Sequence, residues 1–317
     1  MKAVIIDEFG GAEKMKYAEV LTPRPKAGEV QIEVKYAGVN PIDWKIREGW
    51  LKKRWQFLFP IVLGWDVSGV VSELGDGVDH LNIGDEVYAL CRGSVVQWGT
   101  YAEFVCFDAR HVVKKPENLS FAEAAGIPLV SLTSWQALNE SGGLKEGETC
   151  LIHAGAGGAG GIGIQLAKLK KATIYTTASQ KNHSYVKELG ADYPINYNNE
   201  DFVKVVNEKE PDGVDLVYDC VGDSTYERSF DVVKKGGRIV TICRIFGDDY
   251  GEDKDIRKEF VLVEPDGKAL SKISALFEED KLKAPETEVF DIKDAKEALE
   301  KNRKGHTRGK LVLRVRD

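Results

Sequence analysis

The 317-residue chain has little cysteine, no long apolar run and no excess of positive charge. Its five cysteines, Cys91, Cys106, Cys150, Cys220 and Cys243, are scattered, and no two stand at C-x-x-C spacing. That pattern excludes a disulfide framework and a cysteine-built zinc lobe, and leaves small buried residues of a reducing compartment. No apolar stretch approaches the ~20 residues of a membrane span. The opening Met1 to Glu8 reaches charge after a few apolar residues, as a strand does and a signal peptide does not, so a cytoplasmic location is expected. A net charge of −7 argues against nucleic acid or an acidic membrane as the main partner. Hydrophobic content of 43% and charged content of 30% exclude a disordered or collagenous chain, and the length suits two domains.

What the chain does have is a glycine run. Thr149-Cys150-Leu151-Ile152 has the length and character of a strand, Ala154 to Gly160 is a glycine-rich turn, and Ile162, Leu166 and Leu169 repeat at helical spacing. Strand, turn and helix in this order form a dinucleotide-binding unit. Two registers of G-x-G-x-x-G overlap here. The one through Gly155, Gly157 and Gly160 fits a strand ending near His153, and Gly163 then falls inside the helix. Gly155, Ala156, Gly157, Gly158, Ala159 and Gly160 become phosphate-binding candidates, because the turn lets a pyrophosphate approach backbone N–H groups at a helix start.

Before that run, residues 1 to about 120 read as short strands at Lys2 to Ile6, Val30 to Tyr36, Ser68 to Leu74, Glu86 to Ala89 and Ala102 to Cys106, separated by Gly-Asp turns. This is the pattern of a barrel-like all-β domain. Within it, Gly38 to Gly49 reads as a polar loop carrying several chemically able side chains. A capping box at Ser120 and Glu123 opens a helical region. After the glycine turn, strands alternate with helices: strands at Thr173 to Ala178, Pro194 to Tyr197, Asp215 to Asp219, Gly237 to Cys243 and Phe260 to Val263, helices near Ser184 to Leu189, Asp201 to Glu208, Tyr226 to Val233 and Ala269 to Glu279. The expected fold class is α/β, with a doubly wound parallel sheet and a final strand, Lys310 to Val315, returning to the first domain.

The second strand carries a cofactor signal. An NAD site holds the ribose with an acid about 20 residues past the glycine turn. Thr176-Thr177-Ala178-Ser179-Gln180-Lys181-Asn182 offers no carboxylate there, and Ser179 with Lys181 suits the 2′-phosphate of NADPH. The alternative is a helix-capping serine beside an exposed lysine. His153, at the end of the glycine-turn strand, reads as a satisfied buried histidine.

Ala37 to Asp43, Gly64 to Val71, Gly84 to Val87, Gly99 to Glu103, Ala154 to Gly160, Leu189 to Asp192 and Gly309 to Leu313 together resemble the medium-chain dehydrogenase/reductase superfamily, in its zinc-independent quinone oxidoreductase branch. The resemblance covers nearly the full length. It implies a GroES-like β-rich domain at 1–122 and 265–317, a Rossmann domain at 123–264, and an active site in the cleft between them. Where zinc-dependent relatives place a cysteine this chain has Asn40, and where they place His-Glu it has Trp65-Asp66, so no metal is expected. Without a Lewis acid, the expected acceptor is one whose conjugation takes up charge by itself, a quinone or an α,β-unsaturated carbonyl.

By the same resemblance Asn40 lies beside the nicotinamide, its other reading being a turn residue ahead of Pro41, and Tyr197 reaches the 2′-phosphate. Cys220, Val221 and Gly222 pack on the ribose and nicotinamide, with Thr133 and Thr241 in the same cofactor set. Lys45 stands where several relatives have a tyrosine pointing at the substrate. It reads either as a donor to a developing oxyanion or as a solvated surface lysine. Asp43 and Arg47 read as a loop-fixing pair, and Trp44, Trp50 and Trp65 as pocket lining or barrel packing. A homodimer through the edge of the Rossmann sheet is expected. Two other functions remain open: reduction of an enoyl thioester, and a non-catalytic NADPH-binding protein.

Overall fold

In the computed structural model, which describes residues 1–243 and 255–316, the chain divides into two units. Residues 1–129, 264–280 and 284–317 make the first, and residues 130–263 with 281–283 the second.

The first unit is built on the long strand Glu29–Val39, in which Val30, Ile32 and Val34 are buried while Glu33 and Lys35 stay partly exposed. It pairs antiparallel with Asp66–Leu74, with Phe104–Asp108 and with Lys310–Arg314. Glu86–Leu90 and Val113–Lys114 extend the sheet beyond Asp66–Leu74, and Thr287–Asp291 closes the other edge in parallel with Lys310–Arg314. A second small sheet joins Lys16–Glu19, Lys2–Ile6 and Ile61–Val62. The helix Gly267–Glu278 packs on the unit through the buried Tyr88 hydroxyl, 2.7 Å from Ser274 Oγ.

The second unit holds six parallel strands in the order Tyr193–Asn196, Thr173–Ala178, Thr149–Ile152, Val214–Asp219, Val233–Thr241 and Arg257–Phe260. The order reverses between Thr149–Ile152 and Val214–Asp219, the place where such sheets open a crevice for a ligand. Leu151, Tyr175, Val217 and Ile239 contribute to its core.

Several expectations need correction. Gly38 to Gly49 is not a loop: Pro41–Arg47 is a helix capped by Asn40, whose main-chain N–H is accepted by Asp43 in a capping box with Pro41 in the first turn. The short polar stretch hides a helix because half of its signal lies in the cap. Asp43 and Arg47 are not a pair, since Arg47 is bound to Glu48 and Glu300 at 2.9 and 2.8 Å. The boundary after residue 122 moves to 129, because the helix Phe121–Ala125 belongs with the first sheet, where Ser68 Oγ donates to the carbonyl of Phe121 at 2.6 Å. The strand expected at Phe260 to Val263 is Arg257–Phe260 instead. It is the outermost strand, so its ladder tolerates polar residues, while the buried Val261 and Val263 pack just beyond it. Cys91 and Cys150 are buried, and Cys106, Cys220 and Cys243 are partly exposed; none of the five is in a disulfide.

Candidate functional site

In the second unit, the backbone turns at Ala154, which takes a left-handed φ of 56°, and enters the helix Gly158–Leu169 through Gly157. Its N-cap is a glycine, which has no side chain to cap the first N–H groups, and no side-chain bond to them is made among the described residues. A Cβ at Gly155 would overlap Thr176 Oγ1, and one at Gly160 would overlap the carbonyl of Ala154. Glycine is therefore compulsory at both places. Thr177 fixes the turn from the next strand: its Oγ1 accepts from Ala154 N at 3.0 Å, and its carbonyl accepts from Gly155 N at 3.0 Å. Ser134 Oγ, one residue after the buried Thr133, donates to the carbonyl of Ala159 at 2.8 Å and holds the first helical turn from outside.

Parallel register sets the neighbouring groups. Ala178 lies opposite Asn196, so Ser179 and Tyr197 follow at adjacent strand ends. Ser179 opens the short turn Gln180–Asn182 and receives the Asn182 amide at 3.2 Å, while Lys181 and Tyr197 are exposed. Past the reversal point, Asp219 organises the second lip. Its carboxylate accepts from Val221 N and Gly222 N at 3.0 Å and from Thr241 Oγ1 at 2.7 Å. That shapes the Cys220-Val221-Gly222 turn, with Gly222 at φ 83°. Asp219 was visible in the sequence without a role, because its partners come from two different strand ends. Although the residue is partly exposed, desolvation around its thiol, with the Asp219 charge adding, pushes the Cys220 thiol well up, which withholds the thiolate a nucleophile needs. His153 is fully buried between Thr177 Oγ1 and Ser229 Oγ, at 3.2 and 3.0 Å, and desolvation lowers it to about 4. It is a neutral structural histidine. The glycine turn and the helix start fit the phosphates of a dinucleotide.

In the first unit, Asn40, Asp43, Asp66, Tyr101 and Lys310 form a buried polar cluster. The Lys310 ammonium donates to Asn40 Oδ1 at 2.5 Å and to the carbonyl of Val39 at 2.9 Å, and it lies 3.8 Å from Asp66. Asn40 Nδ2 donates to Asp66 Oδ2 at 2.9 Å, and Leu129 N donates to Asp66 Oδ1 at 2.8 Å. Asp43 Oδ2 accepts from Asn40 N at 2.8 Å and from the Tyr101 hydroxyl at 2.9 Å, while its Oδ1 is buried without a hydrogen bond. Asn40 and Asp66, the residues standing at zinc-ligand positions, are thus committed to each other and to an ammonium. A divalent cation added there would meet that positive charge. Among the described residues, no group of three or more His, Cys, Asp or Glu is placed to hold a metal ion.

Burial raises Asp43 to about 7, against the hydrogen bonds from Asn40 and Tyr101, and raises Asp66 to about 6, against Lys310. Desolvation lowers Lys310. Because the folded value of Asp43 exceeds its unfolded one, folding takes up a proton. The stability linked to that proton is complete below the ordinary aspartate range and is lost as pH rises through about 7. The first unit should therefore lose stability between pH about 4 and about 7, and Asp43→Asn, uncharged throughout, should flatten the decline. Urea midpoints for both proteins across that range provide the measurement, and parallel curves would refute the assignment.

Lys45 is half-buried, its Nζ 5.5 Å from the Trp44 ring centroid and 6.0 Å from that of Trp50. The two indoles meet edge to face at 5.2 Å. It is a lysine seated on aromatic faces, with no carboxylate bound to it among the described residues.

The alcohol dehydrogenase GroES-like domain family matches residues 26–117, and the zinc-binding dehydrogenase family matches residues 189–313. The chain is similar to the NADPH-dependent alkenal/one oxidoreductase, chloroplastic, of Arabidopsis thaliana. Identity is 33% over 329 residues, spanning 99% of this chain and 79% of that protein. It is 38% identical over 249 residues to the 2-methylene-furan-3-one reductase of Solanum lycopersicum, which is 76% of this chain and 62% of that protein, less than two thirds of the relative's length. Among solved structures, the quinone oxidoreductase from Coxiella burnetii matches with a TM-score of 0.90 at 38% identity, covering 100% of this chain and 99% of that one.

Proposed function

Because this chain belongs to the medium-chain dehydrogenase/reductase superfamily and is an oxidoreductase of it, we propose that it reduces quinones or α,β-unsaturated carbonyls with NADPH. The observation that carries the cofactor choice is the end of the strand Thr173–Ala178, which runs into Ser179 and Lys181 without a carboxylate of its own, beside the strand end that leads to Tyr197; the nearby Glu200 carboxylate is occupied by Asn196 N at 2.7 Å. When bound, the reduced nicotinamide supplies the hydride; everything else is the work of the chain's own groups. Gly155 to Gly160 and the helix start receive the pyrophosphate, and Asp219 holds the lip of Cys220, Val221, Gly222 and Thr241, with Thr133 in the same set. Asn40 positions the nicotinamide with an amide whose orientation Lys310 and Asp66 fix. Lys45 donates to the acceptor oxygen as charge develops on it. The reading includes a homodimer through an edge of the parallel sheet, where Arg257–Phe260 is the outermost strand.

A panel of quinones, enones and simple ketones, each tested with NADPH and NADH, provides the experiment. The reading fails if no conjugated acceptor is reduced, or if simple ketones are the better substrates. For the cofactor, Lys181→Ala should weaken NADPH binding by the ~1.5–3 kcal/mol of a charge-assisted bond and leave NADH nearly unchanged. Fluorescence titration of the reduced cofactors measures both. Equal losses would assign Lys181 to the solvated surface.

A further inference from the structure

Trp50-Leu51-Lys52-Lys53-Arg54-Trp55-Gln56-Phe57-Leu58-Phe59 interleaves cations with large apolar side chains and contains no acid. The fold makes one surface of it. Arg54 N and Trp55 N donate to the carbonyl of Leu51 at 2.8 and 3.2 Å, and Trp50 N to that of Lys45 at 3.0 Å, so the basic part is a tight turn on the end of the helix Pro41–Arg47. Phe57 and Phe59 both pack edge-on against Phe9, at 5.2 and 5.0 Å, and the turn at Gly49 abuts the same ring. Gln56–Phe57 pairs in parallel with Val95–Val96, which brings the stretch up to Trp98 alongside.

Internal packing does not absorb these apolar groups. Trp50 is 58% exposed, Leu58 43%, Trp98 41% and Phe59 40%. Lys52 and Lys53 are exposed and bind no carboxylate among the described residues. Among the described residues, the acids beside the stretch are matched: Glu48 by Arg47 and Arg303, Glu8 by Lys14, Asp7 by Lys16, and Glu264 by Arg92. The patch therefore carries positive charge on a molecule of net charge −7. Overall acidity argues against an acidic membrane only for the molecule as a whole, because charges beyond a Debye length of ~8–10 Å are screened.

We propose that this surface docks the protein peripherally on an anionic lipid bilayer. Exposed tryptophans and phenylalanines suit the headgroup boundary, where an amphipathic ring is half in hydrocarbon and half in water. Lys52 and Lys53 suit the negative surface potential. No helix among the described residues is long and apolar enough to cross a membrane, so the attachment is to the surface. The inference does not rest on the reaction proposed above.

The test is co-sedimentation of the full chain with phosphatidylcholine vesicles, with and without about 30% phosphatidylserine. Binding is expected only to the anionic vesicles, with a blue shift of tryptophan emission and release at about 0.5 M salt. Lys52→Ala with Lys53→Ala should weaken binding roughly thirtyfold, about fivefold for each lysine near the surface. Leu58→Ser should weaken it while preserving the salt dependence. The proposal is overturned by failure to bind anionic vesicles, by equal binding to neutral ones, or by a lysine variant that binds like the parent. It is equally overturned if Leu58→Ser abolishes self-association and no vesicle is bound, which makes the patch a contact with a second copy. Reduction of a water-soluble acceptor should be unchanged in the lysine variant, so the failure of docking and the failure of the proposed reaction read out separately.

Discussion

Lys310→Met is expected to destabilise the first unit by about 3–5 kcal/mol at neutral pH, the cost of breaking a buried ion pair from one side. The lysine ammonium is enclosed by the carbonyl of Val39, Asn40 Oδ1 and, 3.8 Å away, Asp66. Methionine fills much of the volume and supplies none of the charge. Asp66 would keep only the Asn40 amide and Leu129 N as donors, and a fully buried carboxylate with two neutral partners is poorly compensated. Its escape is to take up a proton. Asp66 already stands at about 6 with Lys310 present, so losing the lysine pushes it further up. The penalty should accordingly be larger at pH about 8 than at about 5, and Lys310→Met with Asp66→Asn should recover most of it. Urea unfolding followed by tryptophan emission reads this unit almost alone, since Trp44, Trp50, Trp55, Trp65 and Trp98 lie in it and only Trp135 in the other. A loss under about 1 kcal/mol at the higher pH would mean that the cluster does not hold the unit together.

That cluster also marks where sequence reading ran out. The strand, glycine turn and helix at Thr149 to Leu169 were legible because their grammar is local: the three occupy consecutive residues. The parallel sheet was legible because alternating elements leave two periodicities in the chain. Lys310 was not legible as the partner of Asn40, for the two stand 270 residues apart and only the pairing of Lys310–Arg314 with Glu29–Val39 brings them together. The strand Thr287–Asp291 and the helix Ala295–Lys304 went unread. The strand lies on an edge with few buried side chains, and the helix buries mainly Ala295, Ala298 and Leu299 amid charge. The helix Pro41–Arg47 could have been found: Asn40, Pro41 and Asp43 are a cap, a first-turn proline and the answering acid. A turn-forming dipeptide concealed it.

For Lys45, the fold replaces two readings by a third that makes the test sharper. The ammonium is neither solvated freely nor tied to a carboxylate among the described residues, but held over the indoles of Trp44 and Trp50. If it serves only to pack there, Lys45→Ala forfeits about 0.5–1 kcal/mol of stability and leaves turnover alone. If it donates to the acceptor, the same change should raise the barrier for an enone by about 2.7–4 kcal/mol, a hundredfold or more in rate. The effect on a quinone should be smaller. An enolate forms as a localised basic oxygen, whereas a reduced quinone spreads its charge and leans less on one donor. Lys45→Arg separates charge from identity: it preserves both the cation and its seat on the indoles, so enone turnover should largely return. Single-turnover rates with one enone and one quinone, measured for both variants, decide between packing and donation. Should Lys45→Ala reduce both acceptors at the parental rate, the indole seat is the whole role of Lys45, and the proton must come from water or from a cofactor hydroxyl.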